Sequence, residues 1–282
     1  MSIEQEQYGW LINAGNHKTS FQSAAASAML LKIHSGISVA VCVDQLSKWP
    51  AEYEQYVDYV IEYPFGDTSQ SMPQHAQLNQ WQLYHITPFQ NNLVIEADVL
   101  VCQNLDYAFN LGEKQTVQLP TQIHDFRKSI YEPPHVKFFE ENNIKKAHAG
   151  IWFFKTGEDF SLAYFNMLDV VCKNWREIFK NYFKPEHVPD FPELDILHSC
   201  TVKMLDEYEH CTVQDPSLLT YTYMISKPDE KWNDVMNTWY TDSFKIDNYR
   251  QNGVLKFTEH EMMNEIVFDG IRNHYTSTNR SS

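Results

Sequence analysis

The sequence predicts an α/β fold in which a mostly parallel central sheet is flanked by helices, and three observations lead there. The chain opens with a strand, a turn, an alanine-rich helix and a second strand. A mid-chain run of apolar strand residues carries two carboxylates. A further apolar strand at 151–154 feeds a long helix. Strands without polar alternation, separated by helices, are the pattern of a parallel sheet covered on both faces.

The first strand is Tyr8-Gly9-Trp10-Leu11-Ile12-Asn13-Ala14, closed by Gly15-Asn16, and Thr19 and Gln22 then have the spacing of a capping box. The stretch Phe21 to His34 is a good helix former that Gly36 stops, and the β-branched run Ile37 to Val43 reads as a buried parallel strand ending at Asp44. Strand, helix, strand is how a nucleotide-binding half begins. A third strand is expected over 56–63 and a helix over 74–86, ended by Pro88. A long helix is expected over 158–183 and a last one over 258–273, with no internal repeat or flexible linker between. We expect residues 1–215 to form one domain and 216–282 a C-terminal extension packed on it.

Composition narrows the function classes. With 282 residues, 43% of them hydrophobic, the chain can bury one large core. A formal charge of −15 argues against a uniformly basic nucleic-acid binder and leaves a local basic groove open. The five cysteines, 42, 102, 172, 200 and 211, form no Cys-x-x-Cys pair and read as buried free thiols of a reducing compartment. The N-terminal residues lack the charged and apolar regions of a secretory signal, and no run reaches the roughly 18 apolar residues of a membrane span. A soluble, cytoplasmic protein is the expectation.

The chemistry concentrates in Asn92-Leu93-Val94-Ile95-Glu96-Ala97-Asp98, which is followed by the apolar Val99-Leu100-Val101. Side chains two apart on an extended segment point the same way, so Glu96 and Asp98 can converge on one cation. Carboxylates flanked by buried strand are costly unless they serve a partner or a metal. Oxygen ligands suit Mg2+ or Mn2+, ions that commonly share coordination with substrate phosphates.

With Asn104-Leu105-Asp106 and Phe109 behind it, this segment resembles the acidic-x-acidic region of A-type-fold glycosyltransferases, in particular the family-eight, glycogenin-like and galactosyltransferase-like group. His148-Ala149-Gly150 before an apolar strand and Glu193-Leu194-Asp195-Ile196-Leu197 some forty residues later resemble two further motifs of that group. The similarity covers roughly residues 8–205. This chain departs from the pattern with Glu96 in place of Asp, His148 in place of Asn and Leu194 in place of Gln.

The resemblance implies a nucleotide-sugar-binding catalytic domain that moves a sugar to a hydroxyl acceptor. Glu96 and Asp98 would hold the metal, with His260 as a third ligand, and Glu96, Ala97 and Asp98 would line the donor diphosphate. Asn13, Ala14, Gly15, Asn16 and Asp44 would contact the nucleoside, His148, Ala149 and Gly150 the sugar, and Glu193 and Asp195 would line the reaction side. A retaining enzyme needs no general base; an inverting one does, and Asp195 is the candidate.

On the acceptor side, Lys173, Arg176, Lys180 and Lys184 recur at helical spacing beside Trp175, Phe179, Tyr182 and Phe183. Such a stripe is either a solvated helix face or a phosphate-tracking surface for DNA. The chain is also similar in style to bacteriophage glycosyltransferases that modify hydroxymethylated pyrimidines in DNA. A flipped base would then need aromatic side chains such as Tyr131, His135 and the Trp232 to Trp239 region. A carbohydrate or protein acceptor, a nucleotidyltransferase and a non-catalytic nucleotide- or DNA-binding protein are the alternatives. The nucleotidyltransferase lacks its glycine-rich basic loop, since Gly15 and Lys18 alone stand there.

Overall fold

Strand β1 (Glu6–Gly15) runs through the middle of the main sheet, and its residues alternate between two cores: Trp10 and Ile12 face one, Leu11 the other. The computed structural model describes residues 6–15, 18–65, 76–213, 215–224, 236–240, 243–246, 249–257 and 263–279, with backbone alone for 18–19, 76–77, 236–240 and 243–246. Parallel neighbours of β1 are β2 (Ser38–Val43) and β4 (Phe89–Glu96), and β3 (Tyr59–Glu62) lies parallel outside β2. On the other side, β9 (Ile151–Lys155) runs antiparallel to both β4 and β6 (Val117–Pro120), and β10 (Thr212–Val213) closes the edge. The order of this seven-stranded sheet is β10-β6-β9-β4-β1-β2-β3.

A second sheet has the order β5-β15-β11-β7-β8, built from β5 (Val99–Val101), β7 (Ile123–Asp125), β8 (Ile130–Tyr131), β11 (Thr222–Met224) and β15 (Val254–Phe257). Strands from 222–257 thus hydrogen-bond with strands from 99–125, and the late part of the chain builds on the earlier part. A three-stranded antiparallel ribbon, β12 (Met236–Tyr240), β13 (Ser243–Ile246) and β14 (Tyr249–Gln251), precedes β15.

Helices cover both faces of the main sheet. Helix α1 (Lys18–His34) fills the space between the sheets and is buried on all sides from Ser23 to Leu31. Its run of alanines suits that place, because small side chains admit close neighbours on every face. The Ser27 hydroxyl ties it to β5 at 2.5 Å from Val99 O. Over the opposite face lie α3 (Asp159–Tyr182) and α4 (Leu194–Leu205), which bury Tyr164, Phe165 and Leu197 against Trp152 and Phe154. Short helices α2 (Leu83–Ile86) and α5 (Tyr208–Cys211) connect strands, and α6 (Glu265–Asn279) packs on α1.

Four elements depart from expectation for local reasons. The strand expected over 56–63 shortens to Tyr59–Glu62 because residues 51–56 form a 3-10 helix. The helix expected over 74–86 is a 3-10 turn, Ala76–Gln82, before α2; its polar side chains are committed elsewhere, Asn79 Nδ2 donating to Asp44 at 2.9 Å and Gln82 Oε1 accepting from Phe65 N–H at 3.1 Å. Helix α3 kinks at Asn174, whose side-chain amide donates to Val170 O at 2.9 Å and competes with the helical ladder. The final helix begins at Glu265, where Asn264 Oδ1 accepts from Val267 N–H at 3.1 Å as a cap; residues 258–262 lie outside the described residues. Among the described residues no helix is long and apolar enough to cross a membrane.

Candidate functional site

The two sheets meet where β4 runs out. The expected continuous strand through Glu96, Ala97 and Asp98 is broken: β4 ends at Glu96, Ala97 and Asp98 form a turn, and Val99 starts β5 in the second sheet. Ala97 N–H donates to Asn13 O at 3.1 Å, and Asp98 O accepts from Phe257 N–H at 3.0 Å, so the turn is pinned to both sheets. Both carboxylates lie beside one side chain. Lys256 Nζ makes a close ion pair with Glu96 Oε2 and lies 3.9 Å from Asp98 Oδ1. Glu96 Oε2 and Asp98 Oδ1 are both buried atoms, although each residue keeps part of its side chain exposed.

Glu96, Asp98 and Lys256 share a cleft of about 120 Å³ with His135, Glu193, Leu194, Asp195, Tyr221 and Tyr223. Four residues named from sequence, Glu96, Asp98, Glu193 and Asp195, are therefore brought together across nearly 100 positions of chain. Glu193 stands at the N-cap position of α4 and is exposed at the cleft, while Asp195 in the first turn is buried.

Asp195 is held by three groups. Its Oδ1 accepts from Ala149 N–H at 2.9 Å, and its Oδ2 lies 2.8 Å from His148 Nδ1 and 3.1 Å from His135 Nε2. Burial by itself would raise this carboxyl; the charge of His148 and the hydrogen bonds from both histidines outweigh it and hold the group far below the usual carboxylate range. Burial pulls His135 down, but its hydrogen bond to Asp195 and the charges of Asp195 and Glu193 leave it above its ordinary value. Asp98 is pushed up to about 7, chiefly by burial and further by Glu193, with a backbone hydrogen bond opposing. Burial pulls Lys256 down to about 7.

Other expected residues do structural work close by. Asn13 is buried at the end of β1, its Oδ1 accepting from Tyr63 OH at 2.9 Å, and Asp44 is bonded to Asn79. Ala14 is buried, and Gly15 turns with φ +59°; Asn16 lies outside the described residues. His148 and Ala149 are buried behind Asp195 rather than in the cleft lining. At Gly150 a Cβ would sit 2.7 Å from Tyr221 Cζ, so the missing side chain makes room for the Tyr221 ring.

Sequence reasoning missed Lys256, Tyr221 and Tyr223 and gave His135 no more than a stacking role. Lys256 carried a usable signal: a lone charge inside Val254-Leu255-Lys256-Phe257 obeys the argument applied to Glu96 and Asp98. The tyrosines carried none, being aromatic residues beside a strand. Of the aromatics named for stacking, Tyr131 packs on Tyr223 with ring centroids 5.2 Å apart. Trp232 lies outside the described residues, and Trp239 is described by its backbone in β12.

A divalent ion does not fit the donor set seen here. His260, the expected third ligand, lies outside the described residues, and among the described residues no group of three His, Cys, Asp or Glu could hold an ion. The place between the two carboxylates is taken by the Lys256 ammonium.

A second depression of about 320 Å³ shares His135 and Glu193 with the cleft and is walled by Phe138, His187 and Phe191, with Glu186 and Asp190 at its rim. The Phe138 and His187 rings stack 4.0 Å apart at 6°. The basic stripe lies elsewhere, along α3, and is matched internally: Lys173 with Asp169 at 2.7 Å, Lys180 with Glu177 at 2.7 Å, Lys184 with Glu141 at 3.9 Å, and Arg176 over the Trp175 ring.

No family model and no characterised protein sequence matches the chain. Among solved structures it is similar to mouse xyloside xylosyltransferase 1 in its apo form, with TM-score 0.51 and 11% identity, covering 89% of this chain and 97% of that one. Weaker likenesses are to the glycosyltransferase GlyE of Streptococcus pneumoniae TIGR4 (TM-score 0.47, 12% identity, 75% of this chain and 46% of that one) and to the galactosyltransferase LgtC crystallised with donor and acceptor sugar analogues (0.45, 12%, 95% and 95%). The chain thus spans 46% of the length of GlyE. At these identities the likeness concerns the fold alone: the mixed α/β architecture is similar to that of the xylosyltransferase.

Proposed function

We propose that this chain is a glycosyltransferase that moves a sugar from a nucleotide-sugar donor to a hydroxyl acceptor. The observation that carries the reading is the single cleft in which the Glu96-Ala97-Asp98 turn faces Glu193, Asp195 and His135. It opens beside the carboxyl ends of the parallel strands β1 and β4, where open α/β sheets bind ligands. The donor diphosphate would lie against the Glu96, Asp98 and Lys256 group, and the nucleoside toward Asn13, Gly15 and Asp44. Mn2+ or Mg2+ on Glu96 and Asp98 is the metal a resemblance to A-type enzymes implies; the cation that stands between those carboxylates is Lys256.

Asp195 suits positioning better than proton removal, because a carboxylate stabilised by three hydrogen bonds is a weak base. It orients His135, which lines both depressions; with Nε2–H donated to Asp195, Nδ1 is left to accept the acceptor hydroxyl's proton. Glu193 shares that mouth.

A neutral acceptor fits the surroundings. Glu186, Asp190 and Glu193 rim the second depression, and aromatic rings wall it, a combination that favours a carbohydrate and repels a polyphosphate. The DNA acceptor drew on the α3 stripe, whose cations have acidic or aromatic partners of their own. Five buried free thiols suit a reducing cytoplasm.

The test is mass spectrometry of simple sugars, glycans and hydroxymethylated DNA after incubation with mixed nucleotide sugars. A hexose or pentose mass on a glycan is expected, and Asp98→Ala should abolish both transfer and donor hydrolysis while remaining folded. Full activity in that variant, or tight DNA binding with no hydrolysis of any donor, would overturn the reading.

A further inference from the structure

We propose that the Lys256 ammonium is the resident cation of this site, neutralising the donor diphosphate in place of a divalent ion; this rests on the glycosyltransferase reading. Lys256 is fixed by its strand. In β15 it pairs with Val99 of β5 on one side and with Tyr223 of β11 on the other, and the next residue, Phe257, donates its N–H to Asp98 O. A register slip would turn the side chain to the other face of the sheet, so the two pairings keep Lys256 on the face that carries the carboxylates.

Charge counting favours one occupant. In their ionised forms Glu96 and Asp98 bring two negative charges and Lys256 one positive charge to the same place. A divalent ion seated between these carboxylates would have to displace the ammonium or lie against it, at a cost set by Coulomb repulsion over a few ångströms in a partly buried site. With Lys256 in place, an ammonium has three N–H donors; it is ion-paired to Glu96 and stands 3.9 Å from Asp98, beyond hydrogen-bond reach, which leaves donors for a phosphate oxygen. The cleft is small, about 120 Å³, and places Lys256 beside the residues of the acceptor side.

The step balances without a metal. The bond from the anomeric carbon to the phosphate oxygen breaks with its electron pair on that oxygen, where Lys256 donates a hydrogen bond. The anomeric carbon bonds to the acceptor oxygen, and the acceptor proton passes to His135. The nucleoside diphosphate leaves carrying the negative charge that the ammonium stabilises.

Two measurements test this on the full chain. In the first, electron paramagnetic resonance follows free Mn2+ during titration with wild type and with Lys256→Met. Wild type should leave Mn2+ free, whereas Lys256→Met, with two carboxylates and no cation, should bind it at least about tenfold more tightly. In the second, calorimetry measures binding of UDP, GDP, CDP and ADP with excess EDTA or millimolar MnCl2. The preferred diphosphate should bind wild type with less than about a threefold difference between the two conditions, and Lys256→Met should lose about tenfold in EDTA while Lys256→Arg keeps most of the affinity.

Nucleotide binding or turnover by wild type in MnCl2 alone would overturn the inference and leave the glycosyltransferase reading standing. Stoichiometric Mn2+ binding by wild type would do the same, and neither result depends on a variant that folds. If no nucleoside diphosphate binds in either condition, the glycosyltransferase reading falls and the inference falls with it.

Discussion

His148 Nδ1 lies 2.8 Å from Asp195 Oδ2, and the same oxygen is 3.1 Å from His135 Nε2, so one carboxylate oxygen fixes two imidazoles from opposite ends of the connection between β8 and β9. This binds both the turn at 134–136 that follows β8 and the lead-in to β9 to the first turn of α4.

Replacing Asp195 by Asn should loosen that arrangement. The amide cannot accept from both rings at its nitrogen, and removing one partner of a buried charged network costs roughly 3 to 5 kcal/mol. Thermal unfolding should show that loss, and transfer should fall about a hundredfold if His135 is the proton acceptor. A positioning role makes a further demand: the His135 titration, followed by NMR, should move down from its raised value. The sign follows from that raised value. Stability from the His135 to Asp195 contact is present below the unfolded histidine pKa and lost as pH rises through the folded one, and the Asn variant should lack this loss. An unchanged His135 titration would refute the assignment.

Gly150→Ala should displace Tyr221. The added Cβ would meet the rigid ring at 2.7 Å, an overpacking worth about 1 to 3 kcal/mol. Differential scanning calorimetry should register the drop, and a companion Tyr221→Leu change, which removes the clashing ring atoms, should recover part of it. Equal instability of the single and double variants would show that the clash lies elsewhere.

His198 gives the fold an acid sensitivity. It is fully buried, its Nδ1 accepting from Tyr164 OH at 2.6 Å and its Nε2 lying 3.2 Å from Gln80 Oε1, and burial pulls it down to about 3. A histidine neutral in the fold and charged when unfolded takes up a proton on unfolding between its two pKa values. Stability therefore falls as pH drops from about 6.5 toward 3, at up to about 1.4 kcal/mol per pH unit from this group. Urea unfolding between pH 6 and 4.5 should show a shallower slope for His198→Gln than for wild type; identical slopes would mean that His198 does not contribute.

Much of the main sheet was legible because its strands are continuous apolar runs, which local sequence reports directly: β1, β2, β4 and β9 lie where Trp10 to Ala14, Val39 to Val43, Leu93 to Ile95 and Ile151 to Phe154 place them. The helix over 74–86 was misread because Asn79, Gln80 and Gln82 are polar yet buried, and what buries them is distant in sequence. A polar residue reads as exposed until its partner is known.

The sequence by itself determined the layered α/β fold and the two carboxylates at the end of β4, since each follows from the order of neighbouring residues. Tertiary structure alone decided that Glu96 and Asp98 face Lys256, that Asp195 is bracketed by two histidines, and that Tyr221 fills the space above Gly150. Those relationships join positions from 47 to about 160 residues apart. They depend on the pairing of β15 with β5 and β11, and hydrophobic pattern marks a strand as buried without naming its neighbour.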